Sequence, residues 1–155
     1  MSIQLQVGND VFNFPQQGET APWGEDVTAW AEAVTDALTT VQGPNDILIT
    51  QAPLANNQTT LANIAGLTFN TGQVQAINVP FLVKRTYDSG STVVTESGAI
   101  IGNYNGTEFV ISIDSVGDSG IEFDITNGGQ IQYKTSSLAN HIESVIYFKA
   151  TTIDT

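Results

Sequence analysis

The sequence is constrained most by a period-two alternation of apolar and polar residues that runs from Phe109 to Lys134. One apolar face and one polar face are typical of antiparallel strands that cover a core on one side only. The pairs Asn105–Gly106 and Gly128–Gly129 adjoin these runs, and such residues accept the positive φ of tight hairpin turns. This stretch therefore predicts β-hairpins. The apolar positions are Phe109, Ile111 and Ile113, then Ile121, Phe123 and Ile125, then Ile131 and Tyr133.

Further alternating runs occupy residues 77–83, 93–101 and 145–152. Pro80 lies within the first of them and indicates an edge or a bulge, because proline cannot donate to a strand ladder. Short strands at a spacing of about 8–12 residues are typical of sandwiches and jelly rolls. We therefore predict a mainly β protein. An N-terminal extended arm and one amphipathic α-helix precede an antiparallel, jelly-roll-like β-sandwich of about seven strands.

The arm is predicted over Ser2–Phe14, where two short alternating runs are broken by Gly8–Asp10. A segment this apolar cannot close a core of its own, so it favours docking on another surface. An edge strand of the chain's own domain would give the same pattern, because strand addition and self-pairing look alike in sequence. Both interpretations stay open at this point.

The helix is predicted over Glu25–Val41, where apolar residues recur at spacings of three and four. Glu25 and Asp26 lie in its first turn and offset the helix dipole, while Gly43–Pro44 ends it. The apolar stripe fits either a helix packed under the sheet or a short three-helix contact about a symmetry axis. We predict a docking or oligomer interface that consists of Phe12, Phe14, Trp23, Val27, Trp30, Val34 and Leu38.

The predicted domains follow from these segments. Residues 1–45 form the docking and oligomerisation segment, residues 46–65 form a polar linker, and residues 66–155 form the sandwich. Within the linker, Ile47–Ile49 is apolar enough for a short strand before Pro53.

The charge distribution disfavours several partner classes. Sixteen acidic and four basic residues give a formal charge of -12, which argues against binding to nucleic acid or to an anionic membrane. Lys84 is the first basic residue, so the preceding segment favours a neutral or basic partner surface, or is an ordinary acidic surface. No secretory signal is expected at Met1–Gln17, and no membrane-spanning apolar run occurs. The chain has no cysteine, so neither a disulfide nor a thiolate metal site is expected.

No group of residues predicts catalysis. His141, Ser137 and Glu143 lie within one short segment, whereas working triads are assembled from distant segments on a rigid scaffold. None of the sixteen acidic residues forms a pair that the sequence singles out for glycoside cleavage. We expect no enzyme activity and no catalytic residue, although a glycan-cleaving enzyme is a third interpretation after the two given below.

No metal or cofactor site is predicted either. Asp114, Asp118 and Gly120 resemble a calcium turn, but no bidentate Glu follows at the required offset. Lys84 and Arg85 are adjacent, so they point to opposite faces of a strand and cannot converge on one anion. We interpret them as charge partners between strands or subunits.

Two parts of the sequence resemble known proteins. The C-terminal part resembles a β-module that recurs in the virion proteins of tailed bacteriophages, and the N-terminal part is similar to the start of small phage particle proteins. The first resemblance rests on Gly66–Phe69, Ile77–Thr86, Glu96–Gly98, Gly129–Tyr133, Thr135, Ser136 and Ile146–Thr152. The second rests on Phe14, Pro15, Gly18, Pro22, Trp23, Gly24, Val27, Trp30 and Ala31.

The resemblance implies a non-enzymatic virion component on the surface of the phage particle, and a homotrimer. Its partners would be other copies of itself and other virion proteins of the capsid or tail. The first interpretation is a capsid decoration or head-fibre protein that docks through its N-terminal segment. The alternative is a short tail fibre or receptor-binding protein whose loops at 88–92, 103–107 and 114–120 contact host glycans.

Overall fold

The structure is a computed structural model that describes residues 3–7, 10–14, 27–35 and 43–155. The chain divides into two compact units, Met1–Pro44 and Asn45–Thr155.

The first unit contains a hairpin and a helix. Strand β1 (Ile3–Val7) pairs antiparallel with β2 (Asp10–Phe14), so the two apolar runs of the predicted arm pair with one another. Helix α1 spans residues 27–35. The other residues of the predicted helix, 25–26 and 36–41, lie outside the described part of the chain.

The second unit consists of two antiparallel sheets. The larger sheet has the strand order β3-β10-β5-β6-β7, and the smaller one has the order β4-β9-β8. A short 3₁₀ turn at Asp88–Gly90 joins β5 to β6. The strands are β3 (Ile47–Pro53), β4 (Ala62–Thr68), β5 (Val74–Tyr87), β6 (Thr92–Tyr104), β7 (Phe109–Gly117), β8 (Ile121–Ile125), β9 (Gln130–Thr135) and β10 (His141–Asp154).

The predicted fold class is confirmed: the protein is mainly β, with one helix among the described residues followed by an antiparallel sandwich. The predicted linker at 46–65 differs from the structure, because it contains β3 and the start of β4. Ile47 pairs with Ala150 of β10, and the second unit accordingly begins at Asn45. The apolar run Ile47–Ile49 was the signal for this extra strand.

The core lies between the two sheets and is made of the alternate residues that face inward. Val79, Phe81 and Val83 of β5 are buried, as are Ile131 and Tyr133 of β9. Phe81 and Phe123 pack edge to face across the core, with ring centroids 4.9 Å apart. Burial of one apolar face per strand accounts for the period-two pattern of the sequence.

The hairpin turns lie where the sequence predicts them. Asn105 turns the chain between β6 and β7, and its Oδ1 accepts hydrogen bonds from the backbone N–H groups of Thr107 and Glu108. Gly129 joins β8 to β9 with a φ of 83°. The strands β7 and β8, in contrast, belong to different sheets, so the chain crosses the core between them.

One end of the sandwich carries four loops, at residues 54–61, 88–91, 118–120 and 136–140. We call it the Arg85 end, because Arg85 pairs with Ser144 where β5 and β10 reach these loops. The second unit begins at the opposite end, since Ile47 pairs with Ala150 and the Asp46 side chain accepts a hydrogen bond from Thr152 N–H. The Arg85 end is therefore the end of the sandwich away from the N-terminal connection.

Candidate functional site

The structure describes five of the seven residues predicted to form a docking interface. Phe12 and Phe14 lie on β2, and Trp23 and Leu38 fall outside the described residues. Val27, Trp30 and Val34 share one stripe of α1; Val27 is exposed, and the other two are partly buried. The stripe predicted from sequence is therefore helical over 27–35, and whether it docks stays a prediction.

Arg85 is the most buried polar side chain of the second unit, with no exposed surface. Its guanidinium makes five hydrogen bonds, which matches its five N–H donors. All five acceptors are neutral oxygen atoms, so the interpretation of Arg85 as a charge partner is wrong. They are Ser144 Oγ at 3.1 Å, Ser119 O at 2.6 Å, Ser136 Oγ at 3.2 Å, Asn56 Oδ1 at 2.9 Å and Ser136 O at 2.8 Å.

These acceptors belong to three loops of the Arg85 end and to strand β10. The alternation of β5 explains the position, because Arg85 follows Val83 at the next inward-facing site. Lys84, in contrast, is exposed on the opposite face of the sheet, as the sequence predicts. Burial lowers the pKa of Arg85 from its ordinary value, because desolvation penalises the charged form. The guanidinium nevertheless stays protonated at neutral pH.

A buried carboxylate is linked to Arg85 through Ser119. Glu96 Oε2 accepts hydrogen bonds from Ser119 N–H at 3.1 Å and from Ser119 Oγ at 2.6 Å, while Oε1 accepts one from Ser115 Oγ at 2.8 Å. The carbonyl of the same Ser119 accepts from Arg85. The two opposite charges are therefore bridged by one residue and are both used in holding the loop between β7 and β8.

The three residues considered for a catalytic triad do not come together as one. His141 Nε2 lies 2.8 Å from Ser144 Oγ, which also accepts the hydrogen bond from Arg85 Nε. Ser137 is exposed on the loop that precedes β10, and Glu143 is exposed on β10 itself. The histidine thus belongs to the hydrogen-bond network of Arg85.

The residues considered for a calcium turn are also separated. Asp118 Oδ1 accepts a hydrogen bond from Gly120 N–H at 2.9 Å, which closes a local turn. Asp114 lies on the edge strand β7 instead. Within residues 3–7, 10–14, 27–35 and 43–155, no cluster of three metal-ligating side chains occurs.

A polar cleft of about 550 Å³ opens at the Arg85 end. One wall comes from the loop between β3 and β4, and the other comes from β8 and β9, where Glu122 and Lys134 are cross-strand partners. A Cβ atom at Gly120 would lie 2.1 Å from Ser136 Oγ, so this part of the cleft requires glycine. The lining residues are Gln58, Thr59, Asp118, Gly120, Ile121, Glu122, Lys134, Thr135 and Ser136.

The loops predicted to contact glycans fall at two different ends of the sandwich. The loop at 88–92 and the end of the segment 114–120 lie at the Arg85 end, whereas 103–107 lies at the other end of β6 and β7. Sequence reasoning missed the contribution of Gln58 and Lys134 to the cleft, because they come from segments far apart in the chain. The only sequence signal was strand alternation, which places Lys134 on an outward face.

No helix in the described part of the chain has the length and apolarity needed to cross a membrane. No protein-family model matches the chain, and no curated protein matches it. Among solved structures, the chain is similar to the tailspike protein of Acinetobacter phage vB_ApiP_P1, with 9% sequence identity and a TM-score of 0.43. The similarity covers 68% of this chain and 22% of that one, so the chain spans about a fifth of the tailspike's length.

Proposed function

We propose that this protein is a non-enzymatic structural component of a bacteriophage virion. In this proposal it is a homotrimer that docks on the capsid through its N-terminal segment and displays the sandwich on the particle surface, as a decoration or head-fibre protein does. The resemblance of both parts of the sequence to phage particle proteins supports this assignment.

The observation that carries the proposal is the division of the chain at Pro44. A hairpin and an amphipathic helix form one compact unit, and a sandwich with its own core forms the other. A docking element and a displayed domain require this kind of separation. Each must keep its own structure when the environment of the other changes on docking.

Two features of the chain agree with a structural role. The buried polar groups Arg85 and Glu96 bond to loop backbone and to serine and asparagine side chains, so they stabilise the loops. The first 83 residues carry no basic side chain, which favours a neutral or basic docking surface on the particle.

Location on the particle tests the proposal. Antibody raised against the sandwich should label the heads of intact particles, and label on tails alone would refute the decoration role.

A second experiment tests docking through the helix. In particles assembled with Trp30→Ala, incorporation should fall while the circular dichroism of the sandwich is unchanged, because the aromatic anchor of the helix stripe is lost. Glu32→Gln, an exposed change on the same helix, is the control and should incorporate normally. Equal incorporation of the two variants would remove the docking role of the helix.

The polar cleft favours one second candidate, a short tail fibre or receptor-binding protein that contacts host glycans. Its walls offer amide, hydroxyl, carboxylate and ammonium groups, which suit a polyhydroxylated ligand, and it opens at the end away from the N-terminal connection. Purified protein should then compete with phage for cells, and Gly120→Ala should abolish the competition in a chain that still folds. Release of reducing ends from host polysaccharide would instead indicate an enzyme.

A further inference from the structure

The polar cleft at the Arg85 end contains a donor and an acceptor that lie side by side. Glu122 of β8 and Lys134 of β9 are directly opposite each other in the antiparallel register, on the outward face of the smaller sheet. Their Cβ atoms are therefore about 5 Å apart. In the described part of the chain, neither side chain has a hydrogen bond or an ion pair. The carboxylate and the ammonium group are thus both available to a ligand that bridges them.

The other polar groups of the cleft are held in place by the protein itself. Ser136 Oγ accepts a hydrogen bond from Arg85 Nη1 at 3.2 Å, so its own proton is left to donate to a ligand. Gln58 Nε2 donates to Thr60 O at 2.7 Å, which leaves its Oε1 as an acceptor. Thr135 Oγ1 accepts from Gln58 N–H at 2.9 Å and so ties this wall to β9. Groups that are positioned in advance lose less conformational entropy when a ligand binds.

The charges in the cleft favour an uncharged ligand. Lys134 is half-buried, whereas Asp118 and Glu122 are exposed on the same cleft. A cationic ligand would bring its charge against the ammonium group. An anionic ligand would meet two carboxylates and a chain whose formal net charge is -12. A neutral ligand avoids both repulsions.

Two hydroxyl groups on neighbouring ring carbons of a sugar have the chemistry that the pair requires. Each hydroxyl can both donate and accept, so one can donate to Glu122 while the next accepts from Lys134. Hydrogen bonds to charged groups of this kind are about twice as strong as neutral ones. The cleft volume of about 550 Å³ is within the range of about 300–1,000 Å³ found for ligand pockets. None of the described residues that line the cleft is aromatic, so hydrogen bonds and not ring stacking determine what it selects.

We infer that the cleft binds an uncharged glycan that carries vicinal hydroxyl groups, with Glu122 as the acceptor and Lys134 as the donor. The inference rests on the second candidate function, recognition of a host glycan. It adds the class of glycan and the two residues that select it. A glycan built from uronic acids should be rejected, because its carboxylates would face Asp118 and Glu122.

Binding of the purified full chain to an array of neutral and uronate-containing oligosaccharides tests the inference. Binding should be confined to neutral glycans with vicinal hydroxyl groups. Periodate treatment of the array should abolish it, because periodate cleaves the carbon–carbon bond between two hydroxyl-bearing carbons. For an oligosaccharide that binds, the dissociation constant measured by calorimetry should change by less than about twofold between low and high salt, since salt screens only charged partners.

Variants of the two residues locate the site. Glu122→Ala and Lys134→Met should each weaken binding of the same oligosaccharide about tenfold, because each removes one hydrogen bond to a charged group. Glu108→Ala and Lys149→Met remove the same charges from exposed positions outside the cleft and should bind as the wild type does. Far-ultraviolet circular dichroism checks that all four variants are folded.

The outcomes separate the inference from the function on which it rests. Binding of uronate glycans that Lys134→Met abolishes would overturn the neutral ligand and leave receptor binding in place. Binding that stays unchanged in folded Glu122→Ala and Lys134→Met would overturn the cleft as the site. No binding to any glycan on the array would overturn both the inference and the second candidate function, whereas the decoration role is decided separately by label on phage heads.

Discussion

Replacement of Arg85 by methionine should destabilise the second unit more than any other single change at a polar residue. Methionine fills a similar volume but donates no hydrogen bond, so five acceptors lose their donor. Two of them, Ser119 O and Ser136 O, are backbone carbonyls in loops that the guanidinium holds together. The free energy of unfolding should fall because buried acceptors without a donor keep their desolvation penalty.

Each buried acceptor left without a donor costs about 1–3 kcal/mol, so a loss of about 3–5 kcal/mol lies within the range given by the two backbone carbonyls alone. At roughly 4 °C per kcal/mol for a domain of about 100 residues, the melting temperature should drop by about 12–20 °C. Arg85→Lys should lie between the wild type and Arg85→Met. An ammonium group has three donors and no planar fork, so about 2–3 kcal/mol should still be lost.

Urea and thermal unfolding followed by far-ultraviolet circular dichroism measure these values. Tryptophan fluorescence would not, because Trp23 and Trp30 both belong to the first unit. Lys134→Met removes a cation that projects outward from β9 and should change stability by no more than about 0.5 kcal/mol. If folded Arg85→Met were within about 1 kcal/mol of the wild type, the guanidinium would not be what holds the loops, and the reasoning would fail.

Two further predictions concern single contacts and use the same unfolding assay. Gly129→Ala should lower the free energy of unfolding by more than about 2 kcal/mol, because Gly129 has a φ of 83° and an added Cβ would lie 2.2 Å from Phe69 O. Gly128→Ala should be nearly neutral, because its Cβ would meet nothing closer than 3.8 Å. Equal effects of the two changes would contradict this prediction. Glu96→Ala should cost about 2–3 kcal/mol because Ser119 N–H loses its acceptor in a buried site, while Glu122→Ala on the exposed face should change little. A neutral Glu96→Ala would mean that water replaces the carboxylate.

The fold was predictable because its signal is local. Each strand buries alternate residues, so the spacing of Phe123, Ile131 and Tyr133 in the sequence already indicates which face of the smaller sheet packs against the core. The hairpins at Asn105 and Gly129 were predictable for the same reason, because each turn depends on the residues within it. Pairing between strands that are distant in the chain has no local sequence signal. The residues of β3 were therefore assigned to a linker, because their partner strand, β10, lies about a hundred residues away.

The candidate site was less predictable than the fold. The cleft is assembled from loops that only the closed sandwich brings together, so Gln58 and Ser136 carry no common sequence signal. Arg85 is an intermediate case. Strand alternation placed it on the inward side after Val83, but a buried arginine is uncommon, and its partners are backbone and serine oxygens that no charge pattern reveals.

The neutrality of those partners matters for how these loops respond to acid. A carboxylate that paired with Arg85 would gain a proton in acid and release the loops, as acid unfolding generally proceeds. Carbonyl, amide and hydroxyl oxygens have no such proton to gain, so the hydrogen bonds from Arg85 to Asn56 and Ser136 should persist as the surroundings acidify. Hydrogen exchange of the amide groups in the loops at 54–61 and 136–140 would show whether these loops stay together in acid.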